Sequence, residues 1–349
     1  MSEGTCGNFF EDFRLGKTFR HATPRTVRHS DSTLYTSLYG TRFAVQQSEP
    51  FARAIGYPAA PIDDLLVFHL VFGKSVADIS LNATANLGYA ECRFLAPVYA
   101  GDTLTASSEV IGLTENSNGK TGIVYVRTAG YNQRTERVLE YARWVMVPKR
   151  DAKARLVEAA APRMADAVDV SGLGAACPAI DRGRWDDGLA GSWRHFDDYA
   201  AGETIDHVDG VTIEDAEHMM AARLYHNTAR VHFNAQEQRT GRFGRRIVYG
   251  GHVMSIARAL SFNGLANTFH VAAINAGRHV APVFAGNTVY AWTTVAGKAR
   301  LIGREDVGAL RLVTRATRNL SAAKFPTAPA DKDQPGVVLE LDYWVLVPR

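Results

Sequence analysis

The sequence predicts an α+β protein made of two tandem copies of one unit, each an antiparallel sheet wrapped around one central helix. Residues 16–46 reappear at 202–232, always 186 positions later, which indicates a duplicated unit. Each copy holds one stretch that is apolar on most sides, as expected of a helix buried all round. Long β-rich segments separated by polar turns follow that helix. One buried helix wrapped by a long antiparallel sheet is the hot-dog architecture, and the sequence predicts it twice.

The repeat continues through both copies. Residues 93–104 are echoed at 278–289, and residues 141–148 are echoed at 341–348. The separation is 185 positions for the first of these pairs and 200 for the second. The second copy therefore carries a longer loop near its end. Residues 321–336, rich in Ala, Pro and Asp, are expected to form this loop at the surface.

These repeats predict three parts of the chain: an N-terminal copy at residues 1–148, a linker at 149–191 and a C-terminal copy at 192–349. The linker is rich in Ala, Gly and Pro and is long for a simple connection, so we expect it to lie across the surface. A short helix is expected around residues 152–160.

Within each copy, a short β segment is followed by a helix, a loop and the apolar helix. The predicted helices are residues 30–39 and 63–78 in the first copy, and 214–225 and 251–263 in the second. Four β segments complete the first copy, at residues 88–97, 103–113, 122–131 and 138–147. Polar turn residues at 118–119 and 132–137 predict hairpins, which make the sheet antiparallel.

The composition is that of a globular protein, because 46% of the 349 residues are hydrophobic and 21% are charged. The net charge of +3 is too small to indicate a nucleic acid or an anionic membrane as a partner. The N-terminus lacks the apolar region of a signal peptide, and the longest apolar run, residues 65–72, is too short to span a bilayer. We therefore expect a soluble protein with no nucleic-acid or membrane partner.

The positions of the cysteines and histidines argue against disulfide bonds and against a metal site. Cys6, Cys92 and Cys177 are widely scattered and form no Cys-x-x-Cys pair, which indicates a reduced, cytoplasmic protein without disulfides. None of the eleven histidines occurs in a metal-binding spacing, so no metal is expected.

The two copies differ at one chemically important position. Tyr39 is matched by Tyr225, but Gln46 stands where the second copy has His232. A neutral imidazole accepts a proton near physiological pH, whereas an amide does not. This difference predicts a fused pseudo-dimer that retains one active site, in the C-terminal copy.

The residues around His232 resemble the motif of the MaoC-like hydratases, also called type 2 or (R)-specific enoyl-CoA hydratases. That motif reads Asp-x-Asn-Pro-(apolar)-His, followed by a loop and an Ile-Ala-His-Gly helix start. This chain has Asn-Thr-Ala-Arg-Val-His at 227–232 and Ile-Val-Tyr-Gly at 247–250. The strands at 94–103 and 279–288 also resemble the family, and both halves are most similar to the hydratases of mesaconyl-CoA (2-methylfumaryl-CoA).

This resemblance implies a hydro-lyase that reversibly adds water to a short, branched, dicarboxylic enoyl-CoA, interconverting mesaconyl-CoA and β-methylmalyl-CoA. The CoA thioester would be the substrate, and no cofactor would be needed. Such a reaction requires a base that activates water and donors that hold the enolate oxygen. We expect His232 to be the acid/base and the backbone N–H of Gly250, at a helix start, to bind the thioester oxygen.

Asn227 stands where the family has an aspartate. Its amide can orient the attacking water but cannot hold a proton. Either His232 alone transfers the proton or a carboxylate elsewhere replaces the aspartate. Asp63 and Asp64, at the corresponding helix start of the first copy, are candidates across the junction of the copies, although helix capping also explains them.

Arg230 stands where the family has proline. Its guanidinium can pair bidentately with a second carboxylate on the substrate, which would suit a dicarboxylic acyl group. An ordinary ion pair, for example with Glu237, is an equally simple interpretation.

The resemblance places the remaining substrate-binding residues beside Gly250 and in the degenerate first copy, where they would border the pantetheine and nucleotide of CoA. These residues are Tyr249 and Gly251 in the second copy, and Ala60, Pro61, Ile62, Asp63, Ala83, Thr84, Ala85, Asn86, Arg93, Phe94 and Leu95 in the first. Without a ligand, the first-copy residues are a helix cap, a loop and a strand.

Three other functions stay open at this point. The protein could hydrate straight-chain enoyl-CoAs, or act as a thioesterase, an activity that hot-dog folds also host. The missing aspartate also allows a non-catalytic acyl-CoA-binding or assembly subunit. A homodimer is expected, because exposed hot-dog sheets commonly associate.

Overall fold

The computed structural model describes residues 7–153, 159–331 and 334–349. Within these residues, ten strands form one continuous sheet. The strands are β1 (Thr18–Thr26), β2 (Ala85–Phe94), β3 (Thr103–Glu115), β4 (Thr121–Tyr131), β5 (Arg137–Pro148), β6 (Thr204–Thr212), β7 (His270–His279), β8 (Thr288–Arg300), β9 (Val307–Arg318) and β10 (Gly336–Pro348).

The α-helices of the described residues are mostly short. They are α1 (His29–Tyr39), α2 (Ala44–Gln47), α3 (Glu49–Ala54), α4 (Asp64–Ser75), α5 (Asp187–Ala190), α6 (Asp215–Leu224), α7 (Arg230–Phe233), α8 (Ala235–Gln238), α9 (Gly250–Leu260) and α10 (Phe262–Leu265). A π-helical turn, Val76–Ser80, continues α4, and 3-10 turns lie at Phe10–Asp12, Val170–Gly172, Arg182–Arg184 and Phe196–Asp198.

The two copies join edge to edge. The strand order is β1-β3-β4-β5-β2-β7-β10-β9-β8-β6, so each copy contributes five neighbouring strands. The junction, which we call the seam, is the antiparallel pair β2–β7, where Tyr89 pairs with Gly277 and Arg93 with Ala273. Because these strands run in opposite directions, equivalent residues of the two copies lie at opposite ends of the seam.

The central helices α4 and α9 pack mainly against the strands of their own copy. Every residue of α4 after Asp64 is buried, and so is every residue of α9 after Gly250. The matched tyrosines of the repeat meet between the copies, where the Tyr225 hydroxyl donates to the Tyr39 hydroxyl at 2.7 Å. The predicted α+β double hot-dog is confirmed, with the core filled by the apolar faces of both helices and both halves of the sheet.

Two connecting segments differ in detail from the sequence prediction. The helix expected around 152–160 falls largely on residues 154–158, which lie outside the described residues. Ala160 forms an antiparallel bridge with Leu113, so a helix does not extend to that residue. In the predicted surface loop, most described residues between 321 and 331 are exposed, but Ala322 and Ala330 are buried.

In the part of the chain that the structure describes, no helix has both the length and the apolar character needed to cross a bilayer. Cys92 and Cys177 are buried and carry free thiols. Cys6 lies outside the described residues.

Candidate active site

The candidate site lies at the end of the seam where β2 begins and β7 ends. α9 begins there with Gly250 and Gly251, beside the chain segment 225–232 that leads into α7. α4 supports this segment from the first copy, because Gly73 lies directly against the carbonyl oxygen of Tyr225 and any side chain at Gly73 would collide with it. The site is therefore built from both copies, with α9 and α7 from one and α4 from the other.

His232 is held in one tautomer. The residue is 8% exposed, and its Nδ1 lies 2.9 Å from the carbonyl oxygen of Ile247. A carbonyl oxygen only accepts, so Nδ1 carries the proton and Nε2 is the unprotonated nitrogen. Burial lowers the pKa of His232 to about 4, although the bond to Ile247 raises it. At physiological pH the ring is neutral, and Nε2 can accept a proton.

Gly250 begins α9 with its backbone amide available. The residue before it, Tyr249, is the N-cap, and within the described residues no side chain caps this helix. The unsatisfied N–H groups and the positive end of the helix dipole favour a negatively charged oxygen at this position. The ring of His279 lies against the Cα of Gly250, so a larger residue would collide with it.

Asn227 holds the turn that leads into α7. It is 1% exposed, its N–H donates to the carbonyl of Ala222 at 3.0 Å, and its side-chain oxygen accepts from the N–H of Ala229 at 3.1 Å. The amide group still has a second lone pair and its NH2 donors for other partners.

Four further histidines surround this helix start, and the sequence interpretation gave none of them a role. They are His69 on α4, His218 on α6, His252 on α9 and His279 at the end of β7. His218 accepts at Nε2 from the N–H of Tyr249 at 2.9 Å, and its ring centroid lies 5.9 Å from that of His232. Two of these histidines stand out in the sequence. His69 interrupts the longest apolar run, and His252 follows the helix-start motif directly.

Burial keeps these neighbours neutral. It lowers the pKa of His69 to about 3, of His218 to about 2 and of His252 to about 3. His279 contacts the Tyr89 hydroxyl at 3.3 Å, and burial followed by the proximity of His232 lowers its pKa to about 4. Despite this concentration of imidazoles, the described residues contain no group of three or more metal-ligating side chains placed to hold an ion.

Asp63 and Asp64 lie at the other end of the seam. Asp63 caps α4 by accepting from the N–H of Leu65 at 2.9 Å, and Asp64 accepts from Nδ1 of His270 at 2.9 Å. His270 and His279 are the two ends of β7, which at about 3.3 Å per residue places them about 30 Å apart. The hypothesis that one of these carboxylates replaces the missing aspartate beside His232 is therefore wrong.

The other predicted substrate-binding residues of the first copy divide between the two ends. Residues 83–86 precede Tyr89 on β2 and so lie at the His232 end, and the side-chain oxygen of Asn86 is buried without a partner among the described residues. Residues 60–63 precede α4, and Phe94 at the end of β2 faces His270, with ring centroids 6.4 Å apart. Residues 60–63 and 93–95 thus lie at the far end, and the contact that the resemblance implies for them stays a prediction.

Arg230 is exposed and reaches across to the first copy, where its Nη1 lies 3.4 Å from Oδ1 of Asn82. Glu237 instead accepts from Asn234, at 3.3 Å. In the described part of the chain, the alternative ion pair between Arg230 and Glu237 is not formed.

Known proteins share both the sequence and this architecture. The sequence matches the family model for mesaconyl-CoA hydratase over residues 3–320. It is 58% identical to a Chloroflexus aurantiacus protein named β-methylmalyl-CoA dehydratase, over 98% of this chain and 97% of that one. It is 55% identical to a Cereibacter sphaeroides protein named mesaconyl-CoA hydratase, over 99% of both chains.

Solved structures agree with these relatives. A MaoC domain protein dehydratase from Chloroflexus aurantiacus superimposes with a TM-score of 0.96 at 57% identity, covering 100% of this chain and 99% of that one. A Mycobacterium tuberculosis protein with a double hotdog fold superimposes with a TM-score of 0.75 at 24% identity, over 98% of this chain and 99% of that one, which supports the fold alone. The family match and both relatives span most of the sequence, and the chain belongs to the mesaconyl-CoA hydratase family.

Proposed function

We propose that this protein catalyses the reversible hydration of mesaconyl-CoA to β-methylmalyl-CoA, with the CoA thioester as its substrate and without a metal or cofactor. One observation supports the proposal most strongly. The unprotonated Nε2 of His232 and the uncapped helix start at Gly250 lie at the same end of the seam. Family membership supports the choice of substrate.

In the proposed reaction, His232 begins by taking a proton from water. Nε2 accepts the proton while the water oxygen bonds to Cβ of the enoyl thioester, and the electron pair of the double bond moves towards the thioester oxygen. The hydrogen bond from Nδ1 to Ile247 holds the ring while the charge on it changes. Asn227 orients the water through its amide, as the sequence predicts.

The helix start at Gly250 stabilises the enolate oxygen. The N–H groups of Gly250 and Gly251 meet the negative charge with the positive end of the α9 dipole, in a site from which bulk water is largely excluded. Glycine at both positions is required by packing, because a Cβ at Gly250 would meet the His279 ring and one at Gly251 would meet the rings of Tyr249 and His69. Tyr249, immediately before them, borders the bound acyl group.

The reaction is completed by proton transfer to Cα. The environment that lowers the pKa of His232 to about 4 makes its protonated form a strong acid, so it readily returns the proton as the enolate collapses to the thioester. In this proposal, His232 serves as base and acid in turn, which accounts for the absence of an aspartate at position 227.

The test is ultraviolet absorbance of the enoyl thioester with mesaconyl-CoA and crotonyl-CoA in parallel. We expect fast loss of absorbance with mesaconyl-CoA and slow loss with crotonyl-CoA. The reverse preference would favour a straight-chain hydratase. Release of free CoA thiol would indicate a thioesterase, and binding without turnover would indicate a non-catalytic subunit.

We also propose that the protein acts in the cytoplasm as a homodimer. Two buried free cysteines suit a reducing compartment. Tyr125 and Trp144 stack 6.2 Å apart on a partly exposed face of the sheet, which suits association of two molecules. Analytical ultracentrifugation of the purified protein tests the dimer, and a monomer at micromolar concentration would contradict it.

A further inference from the structure

Arg143 of β5 is a fully buried cation, and no carboxylate among the described residues pairs with it. Its side chain is 0% exposed, and the groups that act on its charge within the described residues are the tyrosines Tyr141 and Tyr249. Nη2 donates to Oγ of Ser75 at 2.9 Å, and the guanidinium lies 4.3 Å from the ring centre of Phe72. A buried charge without a counter-ion is costly to maintain, so its retention requires a reason.

Two polar atoms beside this guanidinium are left unsatisfied. Nε of Arg143 and the hydroxyl of Tyr141 are both buried, and neither makes a hydrogen bond of good geometry in the described part of the chain, although the hydroxyl lies near the side chains of Ser75 and Thr128. Tyr141 is 0% exposed, and its ring stacks on Phe72 with centroids 6.2 Å apart. We refer to Arg143, Tyr141 and Ser75 as the Arg143 cluster. It offers the donors and the positive charge that a carboxylate needs.

The cluster lies directly behind the candidate active site. The Phe72 ring under Arg143 is 5.8 Å from the ring of Tyr249, and Tyr249 is in turn 5.6 Å from the ring of His232. Gly73, the next residue of α4, supports the turn that carries Asn227. An acyl group with its thioester at Gly250 would therefore extend past Tyr249 and Phe72 towards the guanidinium.

The C-terminal copy contains a buried arginine that does have internal partners, and it can be compared with Arg143. There, the position equivalent to Arg143 is Tyr343, whose hydroxyl is 3.1 Å from Oγ1 of Thr314. One buried arginine of that copy is Arg258, which donates to Oγ1 of Thr268 at 2.9 Å and is stabilised by Tyr343 and by the nearby charges of Asp63 and Asp64. Arg143 is equally buried, but in the ranges that the structure describes no carboxylate acts on its charge.

We propose that the Arg143 cluster binds the second carboxylate of the dicarboxylic acyl group. This proposal rests on the proposed function, because mesaconyl-CoA carries that carboxylate on Cβ, the carbon that water attacks. A guanidinium pairs with a carboxylate through two parallel N–H bonds. Anchoring the acyl group at Gly250 and at Arg143 places Cβ between them, opposite His232, and orients it for attack.

In this proposal, Arg143 takes the role that one of the two interpretations of Arg230 gave to that residue. Arg230 is exposed, so a carboxylate bound to it would stay hydrated and would be recognised weakly. Arg143 lies where water is excluded, and a charge pair formed there discriminates strongly against a ligand that lacks the carboxylate.

The experiment compares two saturated thioesters that cannot be hydrated, 2-methylsuccinyl-CoA and 2-methylbutyryl-CoA. They differ only in a carboxylate replaced by a methyl group. Isothermal titration calorimetry measures both Kd values for the wild type, Arg143→Met and the control Arg230→Met. We expect Arg143→Met to raise the Kd for 2-methylsuccinyl-CoA by at least about 30-fold. Its Kd for 2-methylbutyryl-CoA is expected to stay within about threefold of the wild-type value. Arg230→Met is expected to change the ratio of the two constants little.

Arg143 also lies near the carbonyl of Ser75 at the end of α4, at 3.5 Å, so a purely structural role is the alternative. A purely structural role predicts that Arg143→Met raises both Kd values by the same factor, and that result would overturn the proposal. If Arg143→Met fails to fold, Tyr141→Phe is measured in its place. This variant is expected to raise the Kd for 2-methylsuccinyl-CoA by about tenfold and to leave the Kd for 2-methylbutyryl-CoA unchanged. An unchanged ratio of the two constants in the folded variant also overturns it. Neither ligand can be hydrated, so the two Kd values do not depend on hydratase activity. If the protein does not hydrate mesaconyl-CoA, the absorbance assay shows this independently of the calorimetry.

Discussion

His232 donates its Nδ1 proton to the carbonyl oxygen of Ile247 across 2.9 Å, and this bond determines the chemistry of the ring. It leaves Nε2 as an acceptor on the side away from Ile247, and it keeps the ring in place when Nε2 is protonated. The backbone of the loop before α9 thus performs the orienting function that a carboxylate performs in many catalytic histidines.

The first prediction concerns the pH dependence of activity. Burial lowers the pKa of His232 to about 4, so the ring is an active base above that pH and is protonated below it. We expect kcat/KM for mesaconyl-CoA to be insensitive to this group between pH 5 and 8 and to fall tenfold per pH unit below about 4. Steady-state kinetics give the profile, with circular dichroism to verify the fold at each pH. An inflection near 6.5, the value of an ordinary histidine, would contradict the assignment.

The second prediction concerns stability in acid. Six histidines have pKa values lowered, chiefly by burial, to between about 2 and about 4: His69, His207, His218, His232, His252 and His279. In the unfolded chain their pKa is about 6.5, so the unfolded state binds more protons below that pH. Their stabilising contribution is complete above about 6.5 and is lost as the pH falls towards 4, by about 1.4 kcal/mol per pH unit for each histidine.

Urea unfolding at a series of pH values measures this loss. The free energy of unfolding should decrease steeply from pH 6.5 to 5, while the exposed His29→Ala variant should show the same slope as the wild type. A stability that does not change over this interval would mean that these imidazoles are protonated to the same extent in the folded and the unfolded protein, and would contradict the lowered pKa values.

The third prediction concerns Gly250 and His279. A methyl group at Gly250 would collide with the His279 ring, so Gly250→Ala should destabilise the protein by about 1–3 kcal/mol and displace the start of α9. Removing the ring with His279→Ala should relieve much of that cost in the double variant. A double-mutant cycle in urea measures the coupling, and additive effects of the two substitutions would show that the contact does not exist.

The fourth prediction separates the two ends of the seam. Asp64 accepts hydrogen bonds from His270 and from the N–H of Val271, at 2.9 and 2.8 Å. Asp64→Asn should therefore lower the free energy of unfolding by about 1–3 kcal/mol. It should leave kcat/KM for mesaconyl-CoA within about twofold of the wild type, because the carboxylate is bound to His270, at the opposite end of β7 from His279. A large loss of activity in a folded variant would restore Asp64 as a candidate catalytic group.

The internal repeat and the local hydrophobic patterns were sufficient to predict the fold and most of its helices and strands. The 186-position repeat predicted the double fold, which is confirmed. The retention of one active site in the C-terminal copy, which the pair His232 and Gln46 predicts, stays a prediction. Helix and strand positions followed, because an apolar helix and alternating strands leave periodic patterns. The start of α9 at Gly250 was predicted as a helix beginning one residue later, and local motifs sufficed for that accuracy.

The errors arose from contacts between distant parts of the chain. Asp63 and Asp64 were placed near His232 because the repeat relates them to Tyr249 and Gly250, but an antiparallel seam puts related residues at opposite ends. Arg143 was not considered, because an arginine between aromatic residues on a strand gives no sign of being buried. Its unpaired state depends on which side chains of α4 face β5, and that packing is not encoded in any local pattern.

The central claim is tested most directly by the rate at which His232→Asn hydrates mesaconyl-CoA. Asparagine keeps a side-chain N–H that can donate to Ile247 but lacks the Nε2 acceptor, so the fold should survive without the base. We expect kcat to fall by about 10²–10⁴-fold relative to the wild type, whereas His29→Ala should retain full activity. Loss of enoyl thioester absorbance at the wild-type rate in His232→Asn would contradict the account.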